Sequence, residues 1–269
     1  MKKSIFLAVF LMCASMMTSC NQMVNGILKV SMEKVFDYEY EDSKTRGPVV
    51  DNQIEVASFN EIDISGRVKV IYTQGDTCTL TFHGNEKDLQ EYAVRVKEGC
   101  LRISLKGGST SVNSETPRLT AIITSPTLEK VDVTGACCME IPDAIVQDRS
   151  LEFDVSGMAR LVANDIEVKK FDLDVSGAAN LEIKSLKALE NVELDMSGAC
   201  NMQAALQSPD VEIGMSGAGS ADLNVQSERI DTDVSGTGNL VLSGKCNRLI
   251  VDTSGMSNLN TKNLEVTER

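Results

Sequence analysis

The sequence predicts an all-β protein folded as a β-solenoid, and three observations carry that prediction. A five-residue phrase of the general form apolar–Asp–apolar–Ser/Thr–Gly occurs seven times between residues 131 and 255. The glycines that end the phrases are 22, 20, 21, 19, 19 and 19 residues apart. That spacing suits solenoid coils of two or three short strands and leaves no room for helical crossovers. Apolar and polar residues alternate within each phrase, as in a strand with one buried side.

Aligning the copies on the glycine gives each position a role. The positions four and two residues before the glycine are apolar in almost every copy, so their side chains are expected to form the core. The glycine is expected to mark a corner where the chain turns with a positive φ, a conformation that costs glycine little. The seven corner glycines are Gly135, Gly157, Gly177, Gly198, Gly217, Gly236 and Gly255.

A column of asparagines is expected just beyond the corner. Small residues follow most of the glycines, and Asn comes next in four copies, at Asn180, Asn201, Asn239 and Asn258. Asn side chains stacked about 4.8 Å apart can hydrogen-bond from coil to coil. Because one coil cannot bury its own apolar column, stability must come from stacking, and both ends of the stack need a cap.

The chain divides into four parts. Residues 1–19 are predicted to be a signal peptide, 20–49 a tether, 50–128 an N-terminal β segment that caps the stack, and 129–265 the solenoid repeats. Alternation over 54–105 predicts strands in the cap, with a short helical turn near 86–94. An eighth copy of the phrase, at 62–66, is interpreted as isolated from the others.

The N-terminus resembles a bacterial lipoprotein signal. Lys2 and Lys3 precede an apolar stretch of 13 residues, Ile5 to Met17, which is shorter than the roughly 20 residues that span a bilayer. The run then leads into Cys20, the residue that such a signal would have acylated. An ordinary cleaved signal peptide is the alternative. The resemblance implies membrane attachment through a lipid on Cys20, in the outer membrane because Asn21 is not Asp, with the periplasmic or surface leaflet left open.

Composition excludes several functions. A formal charge of −13 and a pI near 4.6 argue against nucleic acid, whose phosphates need clustered Lys and Arg. There is no Trp, and the one histidine, His83, is expected in a solvated turn. Neither a catalytic residue, a cofactor nor a metal centre is predicted. The partner is expected to be a protein or a glycan, and the oligomeric state is left open.

The Asp of the phrase is the sharpest candidate for a site. Asp132, Asp154, Asp174 and Asp195 occupy four consecutive coils, and carboxylates about 5 Å apart repel by roughly 1 kcal/mol in water. Hydrogen bonds from the Ser/Thr column, a cation such as Ca²⁺ or a partner could offset that repulsion. The alternative is that the Asp column is purely structural and binds no ligand.

The cysteines are expected to be mostly free and buried. Cys137 and Cys200 share a column but lie three coils apart, about 14 Å by stacking, whereas a disulfide needs Cα atoms within about 7 Å.

The repeat resembles a known family. The run Val175–Leu181 reads Val-Ser-Gly-Ala-Ala-Asn-Leu, and Phe59–Gly66 also fits. Both resemble the head GIN domain of the putative auto-transporter adhesins of Bacteroidetes envelopes, over residues 50–265. The resemblance implies a right-handed parallel β-helix-like fold and an adhesin, and it supplies no catalytic residues.

Three functions remain open at the level of sequence. The first is a non-enzymatic, lipid-anchored envelope solenoid that serves adhesion or assembly. The second is a pectate-lyase-like enzyme, which would need long loops around a cleft, whereas these coils vary by only three residues in length. The third is an envelope stress or signalling component.

Overall fold

The computed structural model describes residues 40–108 and 116–268, which form one curled sheet of 17 strands and a short helix. The strands of the N-terminal part are β1 (Val49–Ile54), β2 (Glu61–Ile64), β3 (Arg67–Gln74), β4 (Thr79–Asn85), β5 (Tyr92–Lys97), β6 (Cys100–Leu105) and β7 (Arg118–Ser125), with helix α1 (Glu86–Gln90) between β4 and β5. The repeats form β8 (Lys130–Val133), β9 (Ala136–Ile141), β10 (Ile145–Val146), β11 (Leu151–Val155), β12 (Met158–Val175), β13 (Ala178–Met196), β14 (Ala199–Met215), β15 (Ser220–Val234), β16 (Asn239–Thr253) and β17 (Asn258–Val266).

Each repeat is one coil of a parallel solenoid, as predicted. The coil that starts at Gly135 has three separate strands, β9, β10 and β11, and the next coil runs the same three sides as the single long strand β12. Successive coils are parallel and in register, with small irregularities at the corners. We call the strands that precede the corner glycines the phrase strands.

The apolar columns of the phrase strands make the core. Phe153 pairs with Leu173, Leu173 with Leu194, and Leu194 with Ile213 in adjacent coils, and all four side chains are at most 3% exposed. Burying a side chain of this size contributes about 1.5–3 kcal/mol. Because each side chain packs on the coil before and the coil after, that contribution requires the stack.

Glycine recurs at the corner of each repeat, and the structure gives a different reason for it from the one predicted. A positive φ was expected at all seven corners, but among them only Gly236 and Gly255 have one, and the prediction is wrong for the other five. At Gly177 a Cβ would instead collide with the carbonyl oxygen of Gly157 in the previous coil, and Gly198 stands in the same relation to Gly177. Glycine is needed because the corner backbones lie against one another.

The asparagine column is present in register. Asn180 pairs with Asn201, and Asn239 pairs with Asn258, whose Nδ2 donates to Asn239 Oδ1 at 2.7 Å. In the intervening coil the position holds Ser220, whose hydroxyl lies 3.3 Å from Asn201 Oδ1. The predicted coil-to-coil hydrogen bonds therefore form over part of this column.

The N-terminal segment adds a turn to the stack before closing it. The phrase at 62–66 is not isolated, because β2 pairs in register with β8 and β3 with β9. Beyond them, β4 runs antiparallel to β7 and β5 antiparallel to β6. These antiparallel strands end the parallel stack on this side, and we refer to the N-terminal segment as the cap.

Residues 40–49, the last part of the predicted tether, are bound to the cap. Arg46 Nη1 lies 2.7 Å from Asp88 Oδ2 in α1, and Asn85 Nδ2 donates to the Glu41 carbonyl at 2.8 Å. The predicted signal peptide, the predicted lipid attachment residue Cys20 and residues 20–39 of the predicted tether lie outside the described residues. Within 40–108 and 116–268, no helix is both long and apolar enough to cross a bilayer.

Candidate binding face

The phrase strands carry their Asp residues in one continuous column. Asp132, Asp154, Asp174 and Asp195 are successive register partners across four coils, in the predicted order. Asp63 of β2 pairs with Asp132 and extends the column by one coil. The sequence contained the signal for Asp63, since its phrase has the same five-residue form as the others.

A second acidic column lies beside the first and was not anticipated. It occupies the position two residues before each Asp, which faces the same side of the strand. The signal was the same period-2 alternation, read one step further back from the glycine. The column holds Glu152, Asp172, Glu193, Glu212 and Asp231, which pair in that order. We call the two columns together the acidic face.

A lysine neutralises the acidic face near the cap. Lys130 occupies the second column between Glu61 and Glu152. Its Nζ lies 2.7 Å from Glu152 Oε1 and 3.5 Å from Asp132 Oδ1. These contacts raise the pKa of Lys130, chiefly through the hydrogen bond that its ammonium group donates to Glu152. One ammonium group therefore serves several carboxylates at this end.

An arginine does the same further along the stack. Arg229 Nη2 lies 2.7 Å from Asp231 Oδ2, and its Nη1 lies 3.2 Å from Asp210 and 3.8 Å from Glu212. Because Arg229 stands on β15, it neutralises carboxylates of its own coil and of the coil before.

The middle of the acidic face has no such partner. Asp172, Asp174, Glu193 and Asp195 lie on β12 and β13, and in the described part of the chain no Lys, Arg or His nitrogen comes within 4 Å of their oxygens. The negative charge is thus concentrated between the Lys130 and Arg229 clusters.

Partial burial, and after it the crowding of like charges, raises the pKa of several carboxyl groups. For Asp195, partial burial is the main cause and the Asp174 carboxylate adds to it. For Glu193, burial again comes first, followed by the charges of Asp172, Asp195 and Glu212. The pKa of Asp132 is also raised by burial, although Lys130 opposes the shift.

The serine column does not relieve this repulsion. Ser197 Oγ donates to the Val175 carbonyl of the previous coil at 3.2 Å, and Ser156 Oγ lies 3.4 Å from the Val133 carbonyl. These hydroxyls bond the backbone, so the hydrogen bonds to Asp that were offered as one explanation are not made. Nor do three acidic, His or Cys side chains converge as a metal site anywhere in 40–108 or 116–268.

The cysteines form no disulfide within the described residues, as expected. Six cysteines lie there, and Cys137, Cys138, Cys200 and Cys246 are buried. Burial raises the pKa of Cys200 to about 12, which makes its thiolate scarce at neutral pH. Cys137 and Cys200 share one column three coils apart, as the spacing predicted.

Two remaining features offer little for catalysis. His83 lies within strand β4 and not in a turn, and its Nδ1 is 2.8 Å from Asp51 Oδ1. An open cleft of about 500 Å³ lies at the edge of the cap, lined by residues that include Phe59, Asn60 and Cys78. Asp76 is its one acidic lining residue, and no basic residue lines it among those described.

Comparison with known protein families identifies the fold and the repeat. The model of the family described as "Putative auto-transporter adhesin, head GIN domain" matches residues 58–186 and 185–268. The chain belongs to this family. The two matches divide the chain within β13, so the family covers the cap and the solenoid alike. A family of this description belongs to the cell envelope or surface.

Two solved structures share the fold. A putative adhesin from Bacteroides fragilis is 22% identical with a TM-score of 0.67, over 82% of this chain and 99% of the other. A putative lipid binding protein from Parabacteroides distasonis is 14% identical with a TM-score of 0.58, over 86% and 98% of the two chains. No curated protein matches the sequence.

Proposed function

We propose that this protein is a non-enzymatic binding module of the cell envelope, anchored by a lipid on Cys20, which presents its acidic face to a cationic partner. The observation that carries the proposal is the unneutralised middle of that face. Asp172, Asp174, Glu193 and Asp195 lie on in-register strands, and within 40–108 and 116–268 no Lys, Arg or His nitrogen lies within 4 Å of their oxygens. A fixed array of one sign favours a partner of the opposite sign and speeds its association.

The membership of an adhesin-described family supports a binding role over an enzymatic one. The regular coils support it too, because a β-helix enzyme would need loops that wall a cleft beside its catalytic groups. Incubation of the full chain with polygalacturonate is expected to release no unsaturated products. Release of such products would establish the lyase alternative.

The binding proposal is tested with an oligolysine peptide as the probe. The full chain is expected to bind it, and the triple variant Asp174→Asn, Glu193→Gln, Asp195→Asn is expected to lose at least about tenfold in affinity. The matched control is the triple variant Asp165→Asn, Glu182→Gln, Asp222→Asn, which removes three exposed carboxylates that lie outside the acidic face. Equal losses in the two triple variants would mean that net charge alone, and not the acidic face, attracts the probe.

The anchor is tested separately. Cells that express the full chain in labelled palmitate are expected to incorporate label, and the Cys20→Ala variant is expected to incorporate none. Absence of label from the unaltered chain, or label retained in the variant, would contradict the anchor without affecting the acidic face.

A further inference from the structure

Residues 40–48 are fastened to the cap by two of its buried polar side chains, and we call these residues the strap. Asn85 is buried, and its Nδ2 donates to the Glu41 carbonyl at 2.8 Å. Asp88 is also buried, and its Oδ2 accepts a hydrogen bond from Arg46 Nη1 at 2.7 Å. A buried polar group that loses its partner is costly, so both side chains oppose removal of the strap.

The strap also completes the backbone hydrogen bonding of helix α1. The Pro48 carbonyl accepts a hydrogen bond from the Glu86 N–H at 2.9 Å, and the Arg46 carbonyl accepts one from the Lys87 N–H at 3.1 Å. The first N–H groups of a helix have no partner within the helix itself. The strap supplies those partners, so it is a docked part of the cap.

Strand β1, which follows the strap, is held by little apolar surface. Among the described residues it pairs with β4 alone, antiparallel. Its residues 51–53 are exposed, and Val50 and Ile54 are only half-buried. Because burial of apolar surface is the main favourable term in packing, β1 depends chiefly on its hydrogen bonds to β4 and on the strap.

Strand β2 is where the firmly held part of the chain begins. It pairs with β6 on one side and with β8 on the other. Ile62 and Ile64 belong to the core, and just before them the Asn60 N–H bonds to the Gly99 carbonyl at 3.0 Å. Removing β2 would break hydrogen bonds on both sides and expose core side chains. A mechanical boundary therefore lies between Ile54 and Asn60.

We propose that the strap and β1 together are a detachable element that lengthens the connection to the membrane under tension and leaves the acidic face intact. This inference rests on the proposed lipid anchor, because the anchor transmits tension to the strap. The strands lie across the direction in which the coils stack. Tension along the stack therefore pulls β1 sideways from β4 and breaks its hydrogen bonds one after another, starting where Val49 pairs with Asn85.

The gain in length follows from the register. The Tyr40 ring lies against His83, with ring centroids 5.0 Å apart, and Ile54 pairs with Leu80, three residues from His83 on β4. The two ends of the detachable element therefore start about 10 Å apart. Fully extended, residues 40–54 span about 50 Å, so detachment adds about 40 Å. Until that length is used, a partner on the acidic face experiences only the force that releases the strap.

Single-molecule pulling on the full chain tests the proposal. One handle is attached through a bioorthogonal residue in place of Glu39, just before the strap, and the other in place of the exposed Asp222 on β15. At constant force the first event is expected to be a step of about 40 Å that precedes any unfolding of the solenoid. Moving the first handle to the exposed Ala57, between β1 and β2, is expected to abolish that step.

A variant of the strap tests what holds the element in place. Arg46→Met removes the ion pair with Asp88 and keeps an apolar side chain. The dwell time before the first step is expected to shorten about tenfold, since a hydrogen bond to a charged group is worth about that factor. The matched control is Lys69→Met, which removes the 2.8 Å pair with Glu140 elsewhere in the cap. Its dwell time should stay within about twofold of the wild type.

Unfolding of the whole chain in one event would overturn the proposal, as would a first step that persists with the handle at Ala57. Equal dwell times for Arg46→Met and the wild type would also overturn it, because the contacts of the strap would then not control release. The handles replace the lipid, so these outcomes do not depend on acylation. Absence of palmitate label would contradict the anchor and leave the detachment itself unaffected.

Discussion

The Asp195 carboxylate occupies the space that a side chain at residue 214 would need: a Cβ on Gly214 would collide with Asp195 Oδ1. Gly214 is the register partner of Asp195 in the next coil and interrupts the Asp column at that point. Asp233 lies on the other side of Gly214. The interruption therefore separates two carboxylates that the repeat would otherwise place in one unbroken row.

Filling the interruption should reveal the charge repulsion directly. Gly214→Asp is expected to be less stable than Gly214→Asn by about 0.4–2 kcal/mol at pH 7, because the charge has a carboxylate on each side, at about 0.2–1 kcal/mol per pair. Urea unfolding measures the difference. The two variants share a shape, so the gap should close at pH 3, and a gap that persists there would show that repulsion is not its cause.

Removing a charge from the acidic face should, by contrast, stabilise the fold at neutral pH. The folded pKa of Asp195 is raised above its ordinary value of 3.8, by burial first and by Asp174 second. The stability linked to a raised acid pKa is complete below the unfolded value and is lost as the pH rises through the folded value. Asp195→Asn is therefore expected to stabilise the fold at pH 7, by about 0.2–1 kcal/mol, and to give no gain at pH 3.

Thermal unfolding across this pH range checks that expectation. The control is Asp222→Asn, whose register partners, Gln203 and Val241, are uncharged. The melting temperature of the control variant should stay close to that of the wild type at both pH values. If the control were stabilised at pH 7 as much as Asp195→Asn, the effect would not be specific to the Asp column.

The corner glycines should tolerate no side chain. In Gly177→Ala the new methyl group meets the backbone oxygen of Gly157, which cannot rotate away. The expected loss is at least about 1–3 kcal/mol, the cost of forcing extra volume into a packed site. Gly107→Ala is the matched control, since no atom lies within 4 Å of its Cβ position. Denaturant unfolding that ranked the two variants equally would contradict the close approach of the corners.

Truncating a side chain in the apolar columns should also destabilise the fold, whereas truncating an exposed one should not. Leu194 is fully buried, whereas Leu189, five residues earlier at a corner, is 50% exposed. Leu194→Ala is expected to cost about 2–5 kcal/mol, and Leu189→Ala about 0.5 kcal/mol or less. Denaturant midpoints distinguish them, and a mild effect at Leu194 would mean that the phrase strands do not carry the core.

The repeat was predictable because its pattern is both local and periodic. The inward and outward positions follow from alternation, and the order of coils follows from the glycine spacing, so the Asp column and the thiol separation could be derived before any coordinates. The stacking of 62–66 could not be derived in the same way, since Ile64 and its register partner Val133 are 69 positions apart (133 − 64) and strands β3 to β7 lie between them in the chain.

The error over the corner glycines has a physical cause. Sequence shows that only glycine fits, but a positive φ and a close backbone approach both select glycine. Deciding between them requires the neighbouring coil, which at Gly177 places a carbonyl oxygen where the Cβ would be. The role of Ser197 could not be predicted for a similar reason. The sequence pattern allows its hydroxyl to donate either to an Asp side chain or to a backbone carbonyl, and only the structure shows that it donates to the Val175 carbonyl.

The in-register stack itself is tested most directly by a distance along it. Spin labels carried by bioorthogonal residues at 154 and 252, in chains diluted with unlabelled protein, report the span of five strand spacings. The stack predicts a narrow distribution near about 24 Å. A broad distribution, or a narrow one centred well away from that value, would contradict the stacking of the glycine-marked phrases.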